Sequence, residues 1–157
     1  MNTEDQINNV EANEIVVGVD GGAAAAAALA WAAAQARVTG ASLRVVHSWQ
    51  VTAYQVEGTG PAFIVARAAD ARASATAWVR DALGSGADEV HWVLDIVEGA
   101  PGPVLTERSR SARVVVLGTG DHVGLRRMVS GSVSHYVLSH ALGPVVAVPA
   151  ARVAVSA

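Results

Sequence analysis

Short apolar runs alternate along this chain with longer stretches of helix-forming residues. Glu14 to Asp20 reads Glu-Ile-Val-Val-Gly-Val-Asp and stops at Asp-Gly-Gly. Continuous β-branched apolarity of this kind predicts a strand covered on both faces. Ala23 to Val38 is built of strong helix formers around Leu29 and Trp31, and Thr39-Gly40 predicts its end. Ser42 to Ser48 is a second strand pattern, so the first thirty-odd residues of the fold read as one right-handed βαβ unit. Gln50 to Pro61 carries Gly58, Gly60 and Pro61 and reads as a loop. Phe63 to Leu83 predicts a second helix, with Val65, Ala69, Ala73, Ala77 and Ala82 at helical spacing, ended by Gly84-Ser-Gly86.

The second half continues the alternation. Val90 to Val97 predicts a third strand, with Trp92, Leu94 and Ile96 alternating against His91, Val93 and Asp95. Pro101 to Arg108 suits a short helix with proline near its start. Arg113 to Gly118 is the clearest strand in the chain, Ser132 to Ala141 a helix stopped by Gly143, and Val145 to Val148 a fifth strand. The order β-α-β-α-β-α-β-α-β predicts an α/β fold, an open, doubly wound, five-stranded parallel sheet with helices on both faces, of Rossmann-like type. Residues 1–13 are polar and expected to form a loose arm, and 14–157 a single domain without linker or internal repeat.

Composition sharpens the picture at a few points. At 157 residues a core can form without a disulfide or metal staple. Much of the 52% hydrophobic content is alanine, which predicts Ala-faced helices lying close against a Val- and Leu-rich sheet. The absence of cysteine excludes disulfides, thiol catalysis and thiolate metal sites. A net charge of −3 without a basic run argues against a nucleic-acid surface. Ala23 to Ala36 is too short for a membrane span, and the acidic start (Glu4, Asp5, Glu11, Glu14) is the reverse of a signal peptide, so a cytoplasmic location is expected.

Parallel sheets of this type bind ligands beyond the carboxyl ends of their strands, at the point where strand order reverses. Two loops there carry distinctive residues. In Gly18-Val19-Asp20-Gly21-Gly22, Asp20 suits a metal, a ribose hydroxyl, or the capping of the next helix. In Gly118 to Ser134, glycines let backbone amides approach an anion, and Gly131-Ser132 opens a helix whose amino end favours phosphate. The plainer alternative is a glycine-rich turn with Ser132 as an ordinary N-cap.

Val17-Gly-Val-Asp20-Gly, Val45-Val-His47, Val97-Glu-Gly99 and the block from Val114 to Val148, with Gly131-Ser-Val-Ser134 and Gly143-Pro-Val-Val146, together resemble the universal stress protein family in its adenine-nucleotide-binding form. The resemblance runs from about Glu14 to Pro149. It implies an ATP site in which Val19 and Asp20 lie near ribose and phosphates, Ser48 meets adenine through its backbone, Gly118 approaches the ribose, and Gly131, Ser132, Val133 and Ser134 cradle the phosphates. The family's motif of Gly, two residues, Gly, nine residues, then Gly and Ser or Thr is met at Gly118 and at Gly131-Ser132, but its middle glycine is Asp121. A carboxylate there faces a polyanion, and one like-charge pair at about 4 Å costs about 4 kcal/mol at an effective dielectric of about 20. Three readings stay open: Asp121 holds Mg²⁺ against phosphate, the site prefers AMP, or the chain has given up ATP and works through protein contacts. Gly22 also departs from the serine common in the family.

The remaining candidates are weaker. The five histidines show no metal spacing, His135 and His140 being five apart on one helix. No Gly-x-Ser-x-Gly elbow and no full P-loop occur, and the chain has no lysine. The expectation is therefore a binding protein, with ATP hydrolysis slow at most and no fast catalysis. Trp31, Trp49, Trp78 and Trp92 read as core or interface residues, Trp49 at the edge of the pocket. The last strand (Val145, Val146, Ala147, Val148) is a natural sheet edge, and the resemblance implies a homodimer paired along it.

Overall fold

The computed structural model describes residues 13–50, 61–120 and 132–150. Within them the chain runs β1 (Glu14–Gly18), α1 (Ala23–Thr39), β2 (Ser42–Trp49), α2 (Pro61–Leu83), a 3-10 turn (Gly84–Glu89), β3 (Trp92–Glu98), α3 (Pro101–Arg108), β4 (Val114–Thr119), α4 (Ser132–His140) and β5 (Val145–Pro149). All five strands are parallel, in the order β3-β2-β1-β4-β5. The doubly wound sheet is as expected, and β3 begins at Trp92 rather than Val90. The N-terminal arm and the loop before α2 lie outside the described residues.

Alternation along the strands divides the core in two. Ile15, Val17, Leu43, Val45 and Val116 face α1 and α2, while Val16, Val46, Val115 and Leu117 face Leu105 of α3 and Val137 of α4. The buried face of α1 is Ala25, Ala28, Leu29, Ala32, Ala33 and Ala36, nearly all methyl groups. That thinness lets the backbones meet. A Cβ on Gly118 of β4 would stand 2.4 Å from the carbonyl carbon of Ala24 and 2.5 Å from its oxygen, so only glycine permits this approach. On the other face, a Cβ on Gly102 of α3 would strike the Tyr136 ring of α4 at 2.8 Å.

For α2 the expected buried face is corrected. Val65 is 69% exposed, and Ala69, Ala73 and Ala77 are exposed as well. Ala75 and Val79 are the buried positions, with Trp78, Ala82 and Leu83 packed beside them. Alanine occurs on every side of this helix, so its spacing carries no direction. The few large side chains near the carboxyl end decide which side turns inward.

Arg72 of α2 also reaches across to the sheet. Its Nη1 donates to the carbonyl oxygen of Leu94 at 3.2 Å. β3 turns His91 toward β2, where His91 O accepts from Leu43 N at 2.9 Å, so alternation turns the Leu94 carbonyl to the open side. One edge of the sheet thus carries a cation on its free acceptor, a known device against edge pairing. Among the described residues no side chain hydrogen-bonds the open edge of β5.

Glu14 is buried, and an ion network explains why that is tolerated. Arg44 Nε donates to Glu14 Oε1 at 2.8 Å and its Nη1 to Asp95 Oδ2 at 3.0 Å, and Arg108 Nη2 meets the same Asp95 oxygen at 3.0 Å. The hydrogen bond to Glu14 is the main reason the Arg44 pKa is raised above the ordinary guanidinium value; burial opposes it, and the bond to Asp95 supports it. A raised cationic pKa contributes stability that is present below the ordinary value and lost only above it. Arg44 therefore stays charged at every pH at which the protein is handled.

A methyl at position 118 would meet backbone rather than a yielding side chain. Gly118→Ala is expected to cost about 1–3 kcal/mol, read as a fall in thermal midpoint of about 2–4 °C per kcal/mol; an unchanged midpoint would contradict the close packing. Arg44→Leu leaves two carboxylates without their shared cation and is expected to cost about 3 kcal/mol in urea unfolding. The double variant Arg44→Leu/Glu14→Leu should recover part of that loss, and a double variant no more stable than Arg44→Leu would rule the network out.

Candidate functional site

Strand order reverses between β1 and β4: β2 and β3 lie to one side of β1, and β4 and β5 to the other. The connections after β1 and β4 leave in opposite directions, which opens a crevice at their carboxyl ends. A cleft of about 400 Å³ occupies it. Val19, Asp20 and Gly22 line it from the turn after β1, Val46 and Ser48 from β2, and Leu117, Gly118 and Gly120 from the end of β4.

Three helices begin at this cleft. Ala24 of α1, Pro101 of α3 and Val133 of α4 all line it, and each lies in the first two positions of its helix. The amino ends of α1 and α4 carry free N–H groups and about half a positive charge, whereas α3 opens with Pro101 and Pro103, which have no N–H, and adds its dipole and an apolar surface. Among the described lining residues Asp20 is the sole ionisable side chain. The described part of the cleft thus offers an anion backbone donors and helix dipoles.

Asp20 does not cap α1 as an N-cap residue; Gly22 occupies that position. The Gly22 N–H donates to Asp20 Oδ1 at 2.9 Å, closing a tight turn through Gly21 at φ 85°. Asp20 is exposed, and the turn aims its carboxylate while leaving Oδ2 for a hydroxyl donor. His47 is half-buried, with Nδ1 3.1 Å from the Val19 carbonyl, and so braces the β1 turn from β2.

Ser48 presents its backbone to the cleft. The last bond between β1 and β2 runs from Val19 N to Val46 O at 2.9 Å, while Trp49 O accepts from Gly99 N at 2.9 Å on the β3 side. Alternation then turns the N–H and C=O of Ser48 toward β1, where β1 has already ended. Gly18, whose Cβ would lie 2.6 Å from Leu105 Cδ1, lets that leucine settle into the cleft wall.

The structure thus brings Val19, Asp20, Ser48, Gly118 and Val133 around one cleft. Ser134 is half-buried at the start of α4 and has an interaction of its own. Ser132 begins α4. Asp121 and Gly131 lie outside the described residues, as does His122. Trp49 is half-buried and does not line the cleft. Sequence reasoning missed Pro101 and Leu105, although the helix that carries them follows the carboxyl end of a strand; a glycine inside β1, at position 18, was the available signal that something packs closely there. His140 stacks on Tyr136 with ring centroids 4.2 Å apart. No group of three or more metal-binding side chains occurs among the described residues, and no described helix is long and apolar enough to cross a membrane.

Comparison with known proteins agrees with this architecture. A curated universal stress protein of Mycobacterium tuberculosis (strain CDC 1551 / Oshkosh) is 30% identical over 151 residues, covering 86% of this chain and 47% of its own length. The chain therefore spans about half of that relative. Among solved structures, a universal stress protein in complex with cAMP is similar at a TM-score of 0.59 and 20% identity, covering 88% of this chain and 98% of that one. A universal stress protein from Archaeoglobus fulgidus in complex with dAMP is similar at a TM-score of 0.55 and 23% identity, covering 86% and 96%. At those identities the likeness shows the fold. The sequence model of the Universal stress protein family matches residues 12–149, and the chain belongs to that family.

Proposed function

We propose that this chain is an adenine-nucleotide-binding module that acts in stress response by holding a ligand rather than turning one over. The observation that carries this reading is the cleft of about 400 Å³ at the β1–β4 switch point, with the Ser48 peptide groups on one side and three helix amino ends around it. A peptide N–H beside a C=O complements an adenine edge, which sets a ring-nitrogen acceptor beside an amino donor. Asp20 Oδ2 accepts from a ribose hydroxyl, and Gly118 and Gly120 keep side chains from the sugar. The described donor set, peptide N–H groups and helix amino ends, suits such a ligand. Two relatives of this fold were solved with single-phosphate adenine nucleotides.

ATP is the first ligand of this reading, with Mg²⁺ held against the phosphates by Asp121. AMP is the specific alternative, because Asp121 replaces the family's glycine and fewer phosphates would meet its charge. A chain that has given up nucleotide altogether and acts through protein contacts is the second reading, carried by the same substitution. The described cleft residues include neither a lysine nor a water-orienting base, so hydrolysis is slow at most. The open β5 edge (Val145, Val146, Ala147, Val148) supports a homodimer paired along it.

Calorimetric titration with ATP and AMP, with and without Mg²⁺, decides among these readings. Micromolar binding of either nucleotide by the wild type is the expected result, and Mg²⁺ dependence assigns Asp121 the metal. Asp121→Gly should tighten ATP about ten-fold or more relative to AMP if the carboxylate repels phosphate. Absence of binding by both proteins would leave the contact-only reading. Light scattering at micromolar concentration should give the mass of two chains, lowered to one by Ala147→Pro, which places a rigid ring on the open edge; a monomeric wild type contradicts the dimer.

A further inference from the structure

Ser48 has two sides, and the reading of the cleft as an adenine-nucleotide site uses only its backbone. Its hydroxyl turns the other way and donates to the carbonyl oxygen of Gly99. Gly99 lies one residue beyond β3, at φ 145°, a conformation that side chains rarely adopt. Its N–H is held by Trp49 O at 2.9 Å. The turn is therefore fastened to β2 twice, once by backbone and once by the Ser48 hydroxyl.

From this turn the chain passes at once into α3. Ala100 is the N-cap and Pro101 the first helical residue. A Cβ on Gly99 would stand 3.2 Å from Val104 Cγ2, so the turn packs closely under its own helix. Pro101 and Leu105 form the α3 part of the cleft wall, Leu105 lying against Gly18 of β1. A hydroxyl on the residue that faces the ligand thus bears on the position of a second wall, built by α3.

Resting on the nucleotide reading, we propose that Ser48 is a positioning residue for the nucleobase: its hydroxyl, by holding Gly99, fixes both the strand end that reads the base edge and the α3 wall that confines it. The hydroxyl itself does not touch the ligand. Base discrimination therefore depends on a bond made behind the reading surface.

Threonine and valine at position 48 are nearly the same shape, both suit a strand, and they differ by this one donor. Titration of wild type, Ser48→Thr and Ser48→Val with AMP and with inosine monophosphate separates positioning from mere stability. The two nucleotides differ only at the base edge. The expected result is an AMP affinity within two-fold of wild type for Ser48→Thr and about five-fold weaker for Ser48→Val, the size of one neutral hydrogen bond. The ratio of AMP to inosine monophosphate affinity should fall in Ser48→Val alone. Equal affinities and equal ratios for the two variants would overturn the proposal while leaving the nucleotide site standing, as would a Ser48→Val variant that loses thermal stability and both affinities in proportion. A wild type that binds neither nucleotide removes the site, and the proposal with it.

Discussion

The contact on which the rest depends is backbone against backbone, where Gly118 of β4 meets Ala24 at the start of α1. A helix faced with alanine can approach a sheet more closely than one faced with leucine, and α1 buries almost nothing larger than a methyl group. The gain is geometric more than hydrophobic, since each alanine buries little area. Because α1 sits so near, its amino end is drawn over the end of β4, and the gap between β1 and β4 becomes a cleft bounded by peptide groups. Leu29 is the one larger side chain on the buried face of α1, and Leu43 of β2 and Val79 of α2 close the core around it.

The same economy shapes the electrostatics. Away from the cleft lining, Glu14, Arg44, Asp95 and Arg108 satisfy one another. Among the described residues the cleft itself is lined by helix amino ends, with Asp20 as the single carboxylate. Dipoles at helix termini act over about one turn, so they favour an anionic group seated among them and do little for charge that extends beyond. Asp121, next in sequence after the described part of the β4 loop, matters for that reason.

Much of this was legible before the structure. β-branched runs marked the central strands, because a strand buried on both faces leaves a run of apolar residues that polar loops cannot imitate, while β3 at the sheet edge showed as an alternation. Val19, Asp20 and Gly118 stand at strand ends, which in this topology share one side of the sheet, and the family resemblance added Ser48 and the role of each. The orientation of α2 was not legible, since alanine on all sides gives a periodicity without a direction. Nor were Pro101 and Leu105, whose part in the cleft arises from a missing Cβ at Gly18 and a fastened turn at Gly99. Absences and backbone bonds of that sort leave little trace in a pattern of polar and apolar letters.

The bond from Arg72 to the Leu94 carbonyl gives the sheet a handed availability. A five-stranded layer with both borders free can accept a neighbour on each side, and such units chain without limit. With Arg72 bonded to one border, a strand adding there would have to displace that bond. Strand addition to such a layer is therefore biased toward the other side, which favours a closed pair over a growing filament.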